Sequence, residues 1–258
     1  MTRYSRYWTA FVTIFTKEFL RFARIWLQTI LPPAITTTLY YIIFGNLIGS
    51  RIGKMDGYSY IDFIVPGLIL MAVITNSYSN VVSSFFSSKF QRHVEELIIS
   101  PVPNWIILAG YVAGGVSRGV LVGITVTIVS LFFTDIQVQS YGWTLTVFVL
   151  TSILFSLAGF INAVYANSFD DITIVPTFIL TPLTYLGGVF YSINMLPEFW
   201  QKLSLANPIL YMVNAFRYGL LGVSDISMGV ALGIVVLFIV ALTTFSLMLL
   251  NRGIGIKS

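Results

Sequence analysis

The chain has 258 residues, of which 57% are hydrophobic and only 9% charged, against roughly a quarter charged for a soluble domain. Fourteen Lys and Arg with ten Asp and Glu cannot coat a water-soluble globule of this size, so the remaining surface must face lipid. There is no cysteine, which excludes a disulfide framework, a thiolate metal site and a cysteine nucleophile.

Residues 1–26 carry Arg3, Arg6, Lys17, Arg21 and Arg24 spread along the segment, unlike a cleaved signal peptide, whose charges precede a short apolar stretch. At about 100° per residue the five cations fall within a sector of about 60°. Tyr4, Trp8, Phe11, Phe15, Phe19, Phe22 and Trp26 fall on another side. Such a helix is expected to lie in the membrane interface, basic face toward anionic headgroups and aromatic face in the acyl boundary. The alternative is a helix folded back on its own bundle. The net charge of +4 is therefore assigned to membrane lipid, and no nucleic-acid partner is expected.

At about 20 apolar residues per crossing, the apolar runs allow roughly six spans. They are expected at Leu27–Ile48, interrupted by Pro32 and Pro33, then Ile61–Phe86, Trp105–Phe133, Trp143–Asn167, Ile172–Ile193 and Ser227–Leu250. With both termini in the cytoplasm, that side holds the five N-terminal cations, Lys89, Arg92, Arg252 and Lys257, in a tail over 251–258. The other side holds only Arg51, Lys54, Lys202 and Arg217, so the bias of basic residues favours this orientation. Residues 194–226 are too short in apolar sequence to cross and too apolar for a free loop. Pro197, the Asn207-Pro208 cap signal and the stop at Gly222 predict two short re-entrant helices before the last span. The expected fold is therefore all-α and integral to the membrane.

Several chemistries are missing. His93 has no second His or Cys nearby, so neither a zinc site nor a histidine triad assembles. Gly49 to Lys54 falls one residue short of a phosphate loop and lacks the following Ser or Thr. No carboxylate is expected at mid-span, where an ion-coupled carrier would keep one. Asp170 and Asp171 read as a cap and loop pair rather than the acidic cluster of a membrane enzyme. Energy for uphill transport must then come from a separate subunit docking on the cytoplasmic side. The loop at 87–104 suits it, since the residues from Lys89 to Ile99 predict a short amphipathic helix that breaks at Pro101 and Pro103.

Arg118 lies about halfway along the third span, where a cation is costly and faces a bundle interior or a wet cavity. It reads either as a contact for an anionic headgroup or as a partner of carbonyls or a carboxylate within the bundle. Gly115, Gly119 and Gly123 on the same helix favour close helix packing. In the fifth span, Pro176, Pro182, Gly187 and Gly188 mark a helix able to bend. Tyr185, Phe190 and Tyr191 there offer amphipathic surface, either for a substrate path or for packing at the membrane belt.

The segment from Val94 to Pro101, VEELIISP, resembles the loop between the second and third spans in permease subunits of ABC-2 type transporters. The stretch from Leu180 to Arg217 is similar to the C-terminal signature of that family, and the likeness extends to residues 24–53 and over essentially the whole chain. The resemblance implies an ABC-2, or type V, exporter architecture: a multi-pass permease of the bacterial inner membrane. Two copies would pair with two copies of a separate ATPase subunit that binds ATP and Mg, with no cofactor in this chain, and the substrate would be a lipid, glycolipid or drug-like molecule. It further implies that Arg92, Glu95, Glu96, Leu97 and Pro101 lie in or beside the ATPase contact, and that the substrate path runs along the dimer interface; the bend and aromatic surface of the fifth span, with Arg118, make Arg118, Tyr185, Phe190 and Tyr191 the residues hypothesised to line that path. Many members carry Gly-Thr where this chain has His93-Val94. An ion-coupled secondary transporter is the alternative function.

Overall fold

The computed structural model describes residues 3–136 and 138–255, with the side chains of Arg3 and Asn46 left aside, and its large elements are all helical. Arg3 and Lys257, both counted in the charge bias, thus fall outside the described side chains. Helix α1 spans Arg3–Arg24. After a break at Ile25, α2 (Trp26–Tyr40) continues through a π-helical stretch, Tyr41–Ile48, into α3 (Gly49–Ile52). Strands β1 (Lys54–Met55) and β2 (Tyr58–Ser59) pair antiparallel in a minimal hairpin. The Ser59 hydroxyl then accepts from the Asp62 amide and caps α4 (Tyr60–Phe90). Short α5 (His93–Ile99) precedes α6 (Asn104–Ser130) and α7 (Tyr141–Tyr165). Segments α8 (Asp171–Val175), a π-helical Pro176–Leu180 and α9 (Thr181–Tyr185) follow, then α10 (Glu198–Leu205), α11 (Pro208–Leu221) and α12 (Met228–Arg252).

Among the described residues, five helices are long and apolar enough to cross a membrane: Trp26–Ile52, Tyr60–Phe90, Asn104–Ser130, Tyr141–Tyr165 and Met228–Arg252. The span expected at Ile172–Ile193 is different. It consists of three five-residue segments, about 22 Å of helix against a hydrocarbon core of about 30 Å. The cause is local. Pro176 and Pro182 withhold backbone donors, the ladder slips to a wider register in which the Thr181 amide donates to the Pro176 carbonyl, with the Thr181 hydroxyl donating to the same oxygen at 2.9 Å, and Gly188 turns the chain at φ +71°.

Contacts at the helix ends define two ends of one bundle. At one, Lys89 Nζ donates to the Val164 and Ala166 carbonyls at 2.7 Å each, Asn104 bonds Asn251 at 2.7 Å, and the Tyr7 ring meets Trp105 edge-on. Tyr7, α5 and Arg252 thus share that end. At the other, Tyr58 donates to the Leu221 carbonyl, Ser140 N–H to Gly219, and the Tyr60 hydroxyl to Phe190.

Helices α4 and α7 form the interior, while α2 and α12 lie outside. Small residues allow the close approach. A Cβ on Gly115 would strike Ser156 and Val81, one on Gly119 would strike Ser77, and one on Gly123 would strike Phe148, so the glycine stripe of α6 is a packing surface.

Helix α1 lies along the first half of α6, with Ile14 over Gly110 and Glu18 over Gly114. Tyr4, Trp8 and Phe19 stay exposed, but Phe22 is buried. The basic face does not turn wholly outward as expected: Arg21 donates to the Asn80 carbonyl and side-chain oxygen at 2.8 Å, and Lys17 reaches Ser88. The pair α10 and α11 has the expected signals, with Asn207 capping Ile209 N–H at 3.0 Å, Pro208 first in the helix and Gly222 left-handed at its end. Arg217, counted among the basic residues of the non-cytoplasmic side, lies in α11 and is buried at 1% exposure.

Candidate functional site

The connection after α4 differs from its sequence expectation in register. Lys89 belongs to α4 and points inward to two carbonyls, the chain turns at Arg92 in the left-handed region, φ 62°, and the short helix begins only at His93. Its seven residues are amphipathic. Val94 is buried and Leu97 and Ile98 are packed against the core, whereas Arg92, His93, Glu96 and Pro101 are exposed and Glu95 is half-buried. All five residues implied in an ATPase contact thus keep surface, Glu95 and Leu97 only in part. Ile99 is 85% exposed, an apolar side chain at the tip of α5 that the sequence reading did not single out. A cleft of about 280 Å³ between α5, α1 and α6 brings His93, Glu96 and Leu97 beside Lys17 and Tyr111.

Midway along α6, Arg118 lines a second cleft of about 330 Å³ between α2, α4 and α6, with Gln28, Pro32, Pro33, Thr36 and Asn76 on its walls. No hydrogen bond or ion pair reaches Arg118 among the described residues, and its Nε is buried without a partner. Tyr40 closes one side of that cleft. Its hydroxyl lies 3.1 Å from the Tyr185 hydroxyl, and its ring is 5.6 Å from Phe190, which in turn stacks on Tyr185 and packs on Phe44. The structure therefore brings Arg118, Tyr185 and Phe190 onto one connected wall through Tyr40. Tyr191 is not part of it; its buried hydroxyl faces Ser204. Tyr40 and Phe44 escaped sequence reading because an aromatic within an apolar run carries no positional signal.

Glu18 is also unforeseen. It is fully buried, accepts the Ser84 hydroxyl at 2.7 Å and pairs with Arg21 at 3.5 Å. The expectation that no carboxylate lies deep in the bundle considered only the spans and passed over the helix before them. Asp171 caps the start of α8 from the loop side, its carboxylate accepting the Asn167 and Ser168 amides and its own amide donating to the Ser168 hydroxyl, while Asp170 stands at the N-cap position without a side-chain cap hydrogen bond. Among the described residues no three His, Asp or Glu side chains gather as a metal site.

The family profile described as "ABC-2 type transporter" matches residues 9–221, from within α1 to the last residue of α11. The chain belongs to the ABC-2 type transporter family. It is 60% identical over 252 residues, 98% of each chain, to the inner membrane transport permease YadH of Escherichia coli K12. It is also 24% identical to nodulation protein J of Rhizobium meliloti, over 93% of this chain and 92% of that one. In this ABC-2 permease the match covers α5 and the wall formed by Arg118, Tyr185 and Phe190, while α12 lies beyond it.

Proposed function

We propose that this chain is the membrane-spanning permease subunit of an ATP-binding cassette exporter in the bacterial inner membrane. Two copies join two copies of a separate ATPase that binds ATP and Mg, and both termini lie in the cytoplasm. The observation that carries this reading is α5: a seven-residue amphipathic helix, anchored by the buried Val94 beside the end of α4 and facing α1 and α6 across a cleft, at the bundle end that also holds Tyr7 and Arg252. Force applied there bears on helix backbones rather than on a floppy loop. Arg92, Glu95, Glu96 and Pro101, with the exposed Ile99, form the ATPase contact, and Leu97 ties α5 to the core. ATPase closure would push α5 as a lever, and such a switch needs different contacts in its two states.

The path for an amphipathic substrate, a lipid, glycolipid or drug-like molecule, follows the wall of Arg118, Tyr185 and Phe190. Tyr191 lies behind this wall and is a packing residue in this reading. The relatives named as a transport permease and a nodulation protein support transport without fixing a cargo. The test is co-expression with an ATPase from the same genome, purification in nanodiscs, and measurement of complex formation and ATP turnover with Glu95 and Glu96 changed to Ala. A stable complex with weakened coupling in the double variant is expected.

The buried carboxylate of Glu18 favours a second reading, an ion-coupled carrier. That reading requires the chain alone to move solute down an ion gradient and to lose this in Glu18→Gln. Glu18 is already engaged by Ser84 and Arg21, which argues for a structural carboxylate and leaves the exporter reading ahead.

A further inference from the structure

We infer that the cleft beside Arg118 binds the hydroxyl-bearing anionic headgroup of a membrane amphiphile. The inference deepens the permease reading above by naming a substrate class. Charge comes first. A guanidinium halfway along an apolar helix is costly unless an anion or carbonyls surround it, and Arg118 has neither among the described residues. Its charged neighbour is another cation, Arg21, and the nearby carboxylate, Glu18, is already held by Arg21 and Ser84. The bundle thus leaves one fixed positive charge uncompensated at a cleft.

The rest of the wall fits a headgroup. The volume, about 330 Å³, lies at the lower end of the range of small-molecule sites. Pro32 removes the backbone donor that the Gln28 carbonyl would meet in a regular helix. Gln28, with its side-chain amide, and the exposed Thr36 hydroxyl both line the cleft and suit a group that offers hydroxyl donors beside its negative charge. Immediately outside the cleft, α2 exposes Leu31, Ile35 and Leu39, each about half accessible, an apolar strip on which an acyl chain can lie while the head reaches Arg118. A free anion would use the first feature and not the strip.

The experiment uses the full chain purified and placed in nanodiscs of dioleoylphosphatidylcholine, with or without dioleoylphosphatidylglycerol, and with inorganic phosphate as the soluble arm. Because the chain has no cysteine, Thr36→Cys provides a single thiol on the cleft wall with Arg118 intact. Its alkylation by N-ethylmaleimide is expected to slow about tenfold in phosphatidylglycerol, the size of one charge-assisted contact, and not to respond to phosphate. Adding Arg118→Gln should abolish the protection and Arg118→Lys should restore part of it. Equal alkylation rates in both lipids overturn the inference, and protection by phosphate alone overturns the amphiphile in favour of a soluble anion. If Arg118→Gln does not fold, the Thr36→Cys comparison still decides. ATPase coupling is read separately, so a cleft that ignores lipid charge while coupling persists refutes this inference and spares the permease reading.

Discussion

The Ser84 hydroxyl donates to the Glu18 carboxylate at 2.7 Å, joining α1 to α4 at the point where Glu18 also covers Gly114 of α6. Three helices therefore converge on one buried carboxylate. Its removal should be felt as loss of a buried acceptor and of packing together. Glu18→Ala strands the Ser84 hydroxyl and opens a void over Gly114, for an expected loss of about 2–4 kcal/mol. Glu18→Gln keeps an acceptor and the volume, for about 1 kcal/mol. The Arg21 pair adds little to either figure because Arg21 is 31% exposed and screened. Thermal unfolding in detergent should rank wild type above Gln above Ala, and an Ala variant as stable as wild type would refute this account of the junction.

Two glycines in long helices should respond oppositely to alanine. At Gly159 a Cβ would lie 2.5 Å from the Tyr78 carbonyl oxygen, backbone of the neighbouring interior helix that has no rotamer to change. Gly159→Ala should cost about 1–3 kcal/mol by forcing α7 from α4. Gly233 in α12 has nothing within 4 Å of its would-be Cβ, so Gly233→Ala should leave stability unchanged or raise it by up to about 1 kcal/mol through reduced backbone freedom. Midpoints of thermal aggregation for the two variants check the contrast, which disappears if α4 and α7 are not in direct contact.

The start of α8 should loosen in acid. The Asn167 amide and then the Ser168 hydroxyl hold the Asp171 carboxyl below the usual carboxylate range, with the Ser168 amide adding to them against slight desolvation. A depressed folded value means that the stabilisation is present above the unfolded carboxylate range, about pH 4, and is lost as pH falls through the lower folded value. Amide exchange at residues 167–172, corrected for its intrinsic pH dependence, should therefore rise below about pH 4. In Asp171→Asn this acid-linked change should vanish, and an unchanged profile would show that the carboxylate does not hold the turn.

How much of this was legible in the sequence depended on whether a signal was local. Caps and stops such as Asn207-Pro208 and Gly222 are local backbone chemistry, and the structure has them where the residues indicate. The five long helices follow from apolar length, with ends shifted by a few residues. The expected fifth span is helical only in part, because hydropathy counts residues and not helix: Pro176, Pro182 and Gly188 shorten the helical run without making it less apolar. The burial of Arg217 was not legible, since it lies within the short helix expected between Pro208 and Gly222 and which face of that helix packs inward is known only once the packing around it is known. Arg118 was legible as an anomaly, but its lack of partners is a three-dimensional fact. The link from Arg118 through Tyr40 to Tyr185 joins residues on three helices with no shared periodicity.

Arg217 gives the sharpest test of how the bundle tolerates a buried charge. Its Nη2 donates to the Gly188 carbonyl at 2.6 Å, and its guanidinium lies 3.9 Å from the centre of the Phe63 ring. Nε and Nη1 have no hydrogen-bond partner among the described residues. Asp225 and Asp56 supply opposite charge from farther off, and Asp225 is itself held by Ser192, Ile193 and Asn194. The planar, weakly hydrated guanidinium suits a site with a ring face and one carbonyl; an ammonium does not, because it cannot stack and is more strongly hydrated. Arg217→Lys should thus destabilise more than Arg217→Met, which fills similar space and leaves only the Gly188 carbonyl unpaired, at about 1–3 kcal/mol. In both variants amide exchange should rise at Gly187–Tyr191, the turn that Arg217 pins. If Lys is better tolerated than Met, the charge itself rather than the stacked plane is what this position requires, and the distant carboxylates matter more than Phe63.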